Sequence, residues 1–231
     1  MNTIYYDLFT TKVGSHMWKM ETEHSDHDLM NVYIADTTYL LKGYTIARTL
    51  PDRFDSKTNT DIKAQELGHL INQLIKGNVN AIWTVCSPII VNNHPTLDQL
   101  RNITLHNLSK ASYNSINGMA WSQYLDHTRR KNVMPEGKAL MTSLRTLLFG
   151  YNLLKYGQVL FTPVLHIPTE LEVLNAKETL QSAYTESTLP DTVNEIPFRD
   201  FLITAREQWG HLHGQSDTRK IIKETGKATD E

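Results

Sequence analysis

The chain predicts a small mixed α/β head followed by a mainly helical C-terminal half. Three observations carry this. Strand-type segments, rich in branched and aromatic residues, concentrate in the first third. Apolar stripes at helical spacing dominate from Asp61 onward. No Pro- or Gly-rich linker or solenoid-period repeat interrupts the 231 residues. The organisation expected is a head over residues 1–95, a helical region over 96–213 and a polar tail over 214–231.

Leu8–Val13 reads as a short strand closed by Gly14. Asp28–Ala35 (DLMNVYIA) is a second strand. A third is expected to end near Asp61. A helix then carries Ile62, Leu67, Leu70, Ile71, Leu74 and Ile75 on one stripe, and Gly77-Asn78 stops it. Further helices are predicted near Leu97–Leu108, Tyr113–His127, Gly137–Tyr156, Glu170–Ala183 and Phe198–His213. From about Gly214 the residues are polar and charged, as in a frayed end or a lone terminal helix.

Composition narrows the function classes. Lys plus Arg number 23 against 25 Asp plus Glu, a net charge of -2, so a globally basic nucleic-acid coat is excluded. One cysteine, Cys86, excludes a disulfide framework and a cysteine zinc cluster. No apolar run approaches the ~18 residues of a membrane span, and the start lacks a secretory signal pattern. The expectation is a cytoplasmic protein with no membrane partner.

The stretch Val13–Val32 (VGSHMWKMETEHSDHDLMNV) holds the candidate chemistry. Asp26 and Asp28 stand two apart at the start of a strand, so their side chains point to one face. Such a pair can share hard divalent cations, and magnesium favours oxygen ligands while keeping waters that phosphates replace. Two such ions roughly 3.5–4 Å apart would stabilise the attacking and leaving oxygens of a phosphoryl displacement. Upstream, Gly14 permits close backbone approach. The Ser15 hydroxyl and the first amides of a helix would hold a triphosphate. Asp-x-Asp pairs and Gly-Ser steps are each common on surfaces. Their order here, Gly-Ser, a helix, then Ser25-Asp26-His27-Asp28-Leu29 opening an apolar strand, is more specific.

On these residues the sequence resembles the nucleotidyltransferases of the DNA polymerase beta type. More narrowly it resembles the predicted nucleotidyltransferases found beside RNA ligases. Their pattern is Gly-Ser-Arg, an aromatic, Gly, then Ser-Asp-x-Asp-Leu, then an Asp before a helix ending Leu-Leu-Lys-Gly-Asn-Pro-Asn. Here the later part reads Asp61-Ile62-Lys63 through Leu74-Ile75-Lys76-Gly77-Asn78-Val79-Asn80. Weaker likeness continues through Tyr113–Ala120 and Glu136–Leu148, so roughly residues 8–160 are covered.

The resemblance implies a nucleotidyltransferase fold. It implies transfer of a nucleoside monophosphate from a nucleoside triphosphate to a hydroxyl, with two magnesium or manganese ions and release of pyrophosphate. Asp26, Asp28 and Asp61 would hold metal, and Asp61 would assist the acceptor hydroxyl. Gly14, Ser15, Lys19, Lys138 and Arg145 would bind nucleotide or phosphate. The acceptor implied is an RNA end. A protein hydroxyl, as in antitoxins that nucleotidylate their toxin, is the alternative. A nucleotide-binding or assembly module of weak catalysis is another. Asp61 also suits a helix cap.

Two positions depart from the pattern: His16 stands for the Arg, and Lys19 for the later Gly. Gly14-Ser15-His16-Met17 mimics a tag remnant, but natural patterning surrounds it. His24 and His27 flank Asp26, and His211 and His213 pair, without a complete local zinc set. His27-Asp28 also resembles the His-Asp step of metal phosphohydrolases, without the further elements that chemistry needs. Thr128-Arg129-Arg130-Lys131 is the densest basic cluster and fits a solvated helix end as well as an RNA contact. Trp83 and Trp121 are expected in the core.

Overall fold

The computed structural model describes residues 5–129 and 137–211. The head runs β1 (Tyr5–Lys12), α1 (Gly14–Met17), β2 (His27–Ala35), α2 (Thr37–Leu41), β3 (Thr49–Asp55), β4 (Thr60–Glu66), α3 (Leu67–Ile75), α4 (Val79–Cys86) and β5 (Ile90–Asn92). Then follow α5 (Pro95–His106), α6 (Ser112–Arg129), α7 (Lys138–Tyr156), α8 (Glu170–Glu186) and α9 (Ile196–Trp209). The strands order β3-β4-β2-β1-β5 in one sheet. The β2–β4 pair is parallel and the others antiparallel, so the sheet is mixed, as predicted.

One sheet face is the packing face. Phe9 and Val32 are register partners and both fully buried. Thr11, also buried, donates its hydroxyl to the Thr84 carbonyl of α4 at 2.9 Å. This fastens β1 beneath the helices. A single apolar cluster runs from Leu8 and Phe9 through Leu70, Leu97, Leu144 and Phe149 to Phe198. Helix α7 packs between α6 and α8, which explains why apolar residues on two of its sides are buried. Helix α9 returns to pack on α3 and α5.

The expected order around Asp61 needs correction. Asp61 neither ends a strand nor begins a helix; it is the second residue of β4, and the helix starts at Leu67. Ile62, assigned to the helical stripe, lies in β4. The physical reason is a double ladder: Thr60–Glu66 pairs with β2 on one side and β3 on the other. Glu66 then sets the helix start, accepting from the amides of Gly68 and His69. The Gly77 stop is found, with φ +68, and Asn78 caps α4 at once by accepting from Asn80 and Ala81.

The predicted helices after α4 are present with small shifts at their ends. Trp83 is buried, as expected, edge-on to Trp18 at 5.2 Å between ring centroids. Trp121 is only half-buried, stacked on Tyr124, with Lys177 Nζ 3.7 Å from its ring centroid. Among the described residues no helix is long and apolar enough to cross a membrane. Arg130, Lys131, Glu136, His213 and the tail 214–231 lie outside the described residues.

Candidate active site

The site begins where β1 turns into α1. The Val13 amide donates to the Asp28 carbonyl at 2.8 Å, which holds the turn against the start of β2. Gly14 follows with φ +64. A Cβ there would lie 1.8 Å from Asp28 Oδ2, so only glycine lets that carboxylate sit against the backbone. Ser15 is the second residue of α1, a helix of four residues. Its end is anchored by Met17 and Trp18, both fully buried.

Lys19 comes next, with φ +56. This is the left-handed position that ends a helix, and an L-residue there costs ~1–2 kcal/mol. The departure from the family glycine therefore falls where glycine has a backbone reason. The Lys19 side chain is exposed.

Asp28 and Asp61 are direct register partners on the parallel strands β2 and β4. Partners in register share a face, so the two carboxylates stand side by side, about one strand spacing of ~4.8 Å apart. Asp26 lies just before β2 and is exposed. The pKa of Asp28 is raised above its ordinary 3.8, first by burial, then by the charges of Asp26 and Asp61. Lys63 and Lys138 oppose the rise. Lys63 sits two residues beyond Asp61 on the same face, its Nζ 3.6 Å from Asp61 Oδ2. Among the described residues no three His, Cys, Asp or Glu side chains converge closely enough to hold a metal ion. The structure thus brings Asp28 and Asp61 together, and Asp26 near enough to repel Asp28, without closing a three-ligand set.

Helix α7 supplies the opposite wall. Arg145 lies over the Trp18 ring at 5.2 Å. Burial lowers its pKa to about 10, with Asp28 acting against the shift. Its buried Nε has no hydrogen-bond partner. Lys138, the first residue of the same helix, is exposed and within electrostatic reach of Asp28.

A basic trio lies beside Ser15. The rings of His16 and His27 are 4.5 Å apart, and Lys12 Nζ is 3.3 Å from His27 Nδ1. Burial, then Lys12 and His27, lower the His16 pKa. Its Nε2 is buried without a partner. His24 and His211 are both exposed.

Lys63 and Lys12 were not singled out from sequence. Lys63 had a usable signal: in a strand, residues 61 and 63 must share a face. Arg145 reaching Trp18 had none, because it depends on how α7 docks on the head.

A model of the RNA repair pathway DNA polymerase beta family matches residues 6–219. The chain belongs to that family, and so to the nucleotidyltransferases of the DNA polymerase beta type. No curated protein matches it. A solved nucleotidyltransferase-like protein from Exiguobacterium sibiricum 255-15 is similar at 10% identity, over 96% of this chain and 83% of that one, with a TM-score of 0.32. At that score the likeness says nothing about the site.

Proposed function

For this member of the family, we propose transfer of a nucleoside monophosphate from a nucleoside triphosphate to the hydroxyl of an RNA end. The observation that carries the reading is the in-register pair Asp28 and Asp61, with Gly14 packed on Asp28. The acceptor oxygen forms a bond to the α-phosphorus while the bond from that phosphorus to the bridging oxygen breaks, and pyrophosphate leaves. Asp61 takes the acceptor proton. Ser15 and the Gly14 backbone hold phosphate, and Lys19, Lys138 and Arg145 balance its charge. Arg145 is suited to this because its Nε lacks a partner in a desolvated position.

The donor chemistry suits a hard divalent cation, magnesium or manganese. Asp26, Asp28 and Asp61 offer carboxylate oxygens, and the Asp28 pKa, raised first by burial and then by the charges of the other two, marks a site that a cation would relieve. Asp26, Asp28 and Asp61 would hold it. When bound, two such ions would stabilise the attacking and leaving oxygens.

A second reading, a nucleotide-binding module of weak catalysis, is favoured by two observations. The carboxylates do not gather into a three-ligand set, and Lys63 stands against Asp61. Label transfer separates the two. Each α-phosphate-labelled nucleoside triphosphate is incubated with RNA, the protein and magnesium or manganese, and all products are resolved together. Label on RNA that disappears in Asp26→Asn/Asp28→Asn supports the transferase. Label on protein moves the acceptor to a protein hydroxyl. Nucleotide binding without transfer to either supports the module.

A further inference from the structure

We propose that Phe54 and Lys63 form the acceptor platform, taking the last base and the adjoining phosphate of a single-stranded RNA end. The inference rests on the transferase reading above and adds to it the groups that recognise the acceptor.

The order of strands makes the case. Gly14 and Ser15 follow β1, Asp28 is on β2, Asp61 on β4 and Phe54 on β3. With the sheet running β3-β4-β2-β1, the phosphate-holding residues lie on one side of Asp28, and Asp61 and Phe54 on the other. Phe54 is the direct register partner of Asp61, which is itself the partner of Asp28. All three side chains therefore share a face and form one row across three strands. A hydroxyl placed at Asp61 leaves its nucleotide one direction in which to extend, outward over Phe54. The base then lies about one strand spacing, ~4.8 Å, from the reacting oxygen's position.

Phe54 has no packing role that competes. It is 63% exposed on an edge strand whose other residues are mostly solvated. Flanking Asp52, Arg53 and Asp55 charge that edge against strand pairing while leaving the ring face open. Lys63 is two residues from Asp61 on the same face and 3.6 Å from its carboxylate, within reach of a phosphate beside the same sugar. An aromatic face and an ammonium around one hydroxyl position are the parts that bind single strands without reading sequence.

The test is fluorescence anisotropy of a short labelled single-stranded RNA on the full chain, with nucleoside triphosphate binding measured alongside. Phe54→Ala should weaken RNA roughly ten- to a hundredfold, as loss of one base–aromatic stack does. Phe54→Trp should restore it. Lys63→Ala should weaken RNA and reduce the salt slope by about one. Triphosphate affinity should not change with Phe54→Ala. Equal losses on DNA of the same sequence support the platform and mark it as indifferent to the sugar. Wild-type affinity in Phe54→Ala, or no RNA binding by the wild type, overturns it. Label transfer to RNA with unchanged KM in Phe54→Ala removes the platform and leaves the transferase reading. Phe54-dependent RNA binding without any label transfer keeps the platform and removes that reading.

Discussion

The two ends of the β2–β4 ladder carry carboxylates in opposite circumstances. At the far end Glu66 is buried, accepts from the Gly68 and His69 amides and pairs with Arg206 at 2.7 Å. At the near end Asp28 is half-buried among Asp26 and Asp61, and its pKa rises. Both are acids on parallel neighbours of one sheet, five residues of register apart. The first is satisfied and holds α9 and α3 onto the sheet. The second is left in repulsion beside a glycine whose Cβ, were there one, would displace it. A buried acid with its partners in place is costly to break; one left beside like charges is poised for a cation or a proton.

The largest expected effect separates these roles. Glu66→Ala should cost about 3–5 kcal/mol by urea denaturation, because it leaves Arg206 uncompensated. Transfer should then fall only with the folded fraction. Asp28→Asn should do the reverse. Label transfer should drop roughly a hundred- to a thousandfold, the scale of losing one preorganised electrostatic group. Its thermal midpoint should hold or rise.

The same contrast has a pH signature. Because the folded-state pKa of Asp28 lies above its ordinary 3.8, the folded protein holds that proton more tightly than the unfolded chain. This contribution to stability is full below 3.8 and is lost as pH rises through the raised value. Asp28→Asn should flatten that loss in melting curves taken across acid pH.

Gly14→Ala sharpens the comparison by moving Asp28 without removing it. The left-handed φ and the collision with Oδ2 should cost about 1–3 kcal/mol and reduce transfer as well. The smallest effect is expected at the neighbouring turn. Lys19→Gly should stabilise by ~0.5–1 kcal/mol, the left-handed penalty less the extra chain entropy of glycine. A thermal melt checks it.

How far the sequence disclosed this site follows from the range of each signal. Gly14-Ser15 and Asp26-His27-Asp28 were legible because a turn glycine and a two-residue strand spacing are local. Asp61 stands out in the sequence, but its place in a strand does not. No Gly or Pro separates Thr60–Glu66 from Leu67–Ile75, so the helical stripe seemed to start early. Helix α4 is not legible because it is only eight residues long and buried on nearly every side, and a short apolar run reads equally as strand or helix. Strand β3 was missed because an exposed edge needs no apolar alternation. The Glu66–Arg206 pair and the seat of Arg145 on Trp18 join elements far apart in the chain, and no local pattern records them.

On the proposed function, the near end of this ladder is chemical and the far end structural. Label transfer from α-phosphate-labelled nucleoside triphosphate to RNA should be measured for the wild type, Asp28→Asn and Glu66→Ala at equal folded concentration. The account predicts an inactive, fully folded Asp28→Asn and a Glu66→Ala as active per folded molecule as the wild type. An active Asp28→Asn, or a loss in both variants that tracks stability alone, would contradict it.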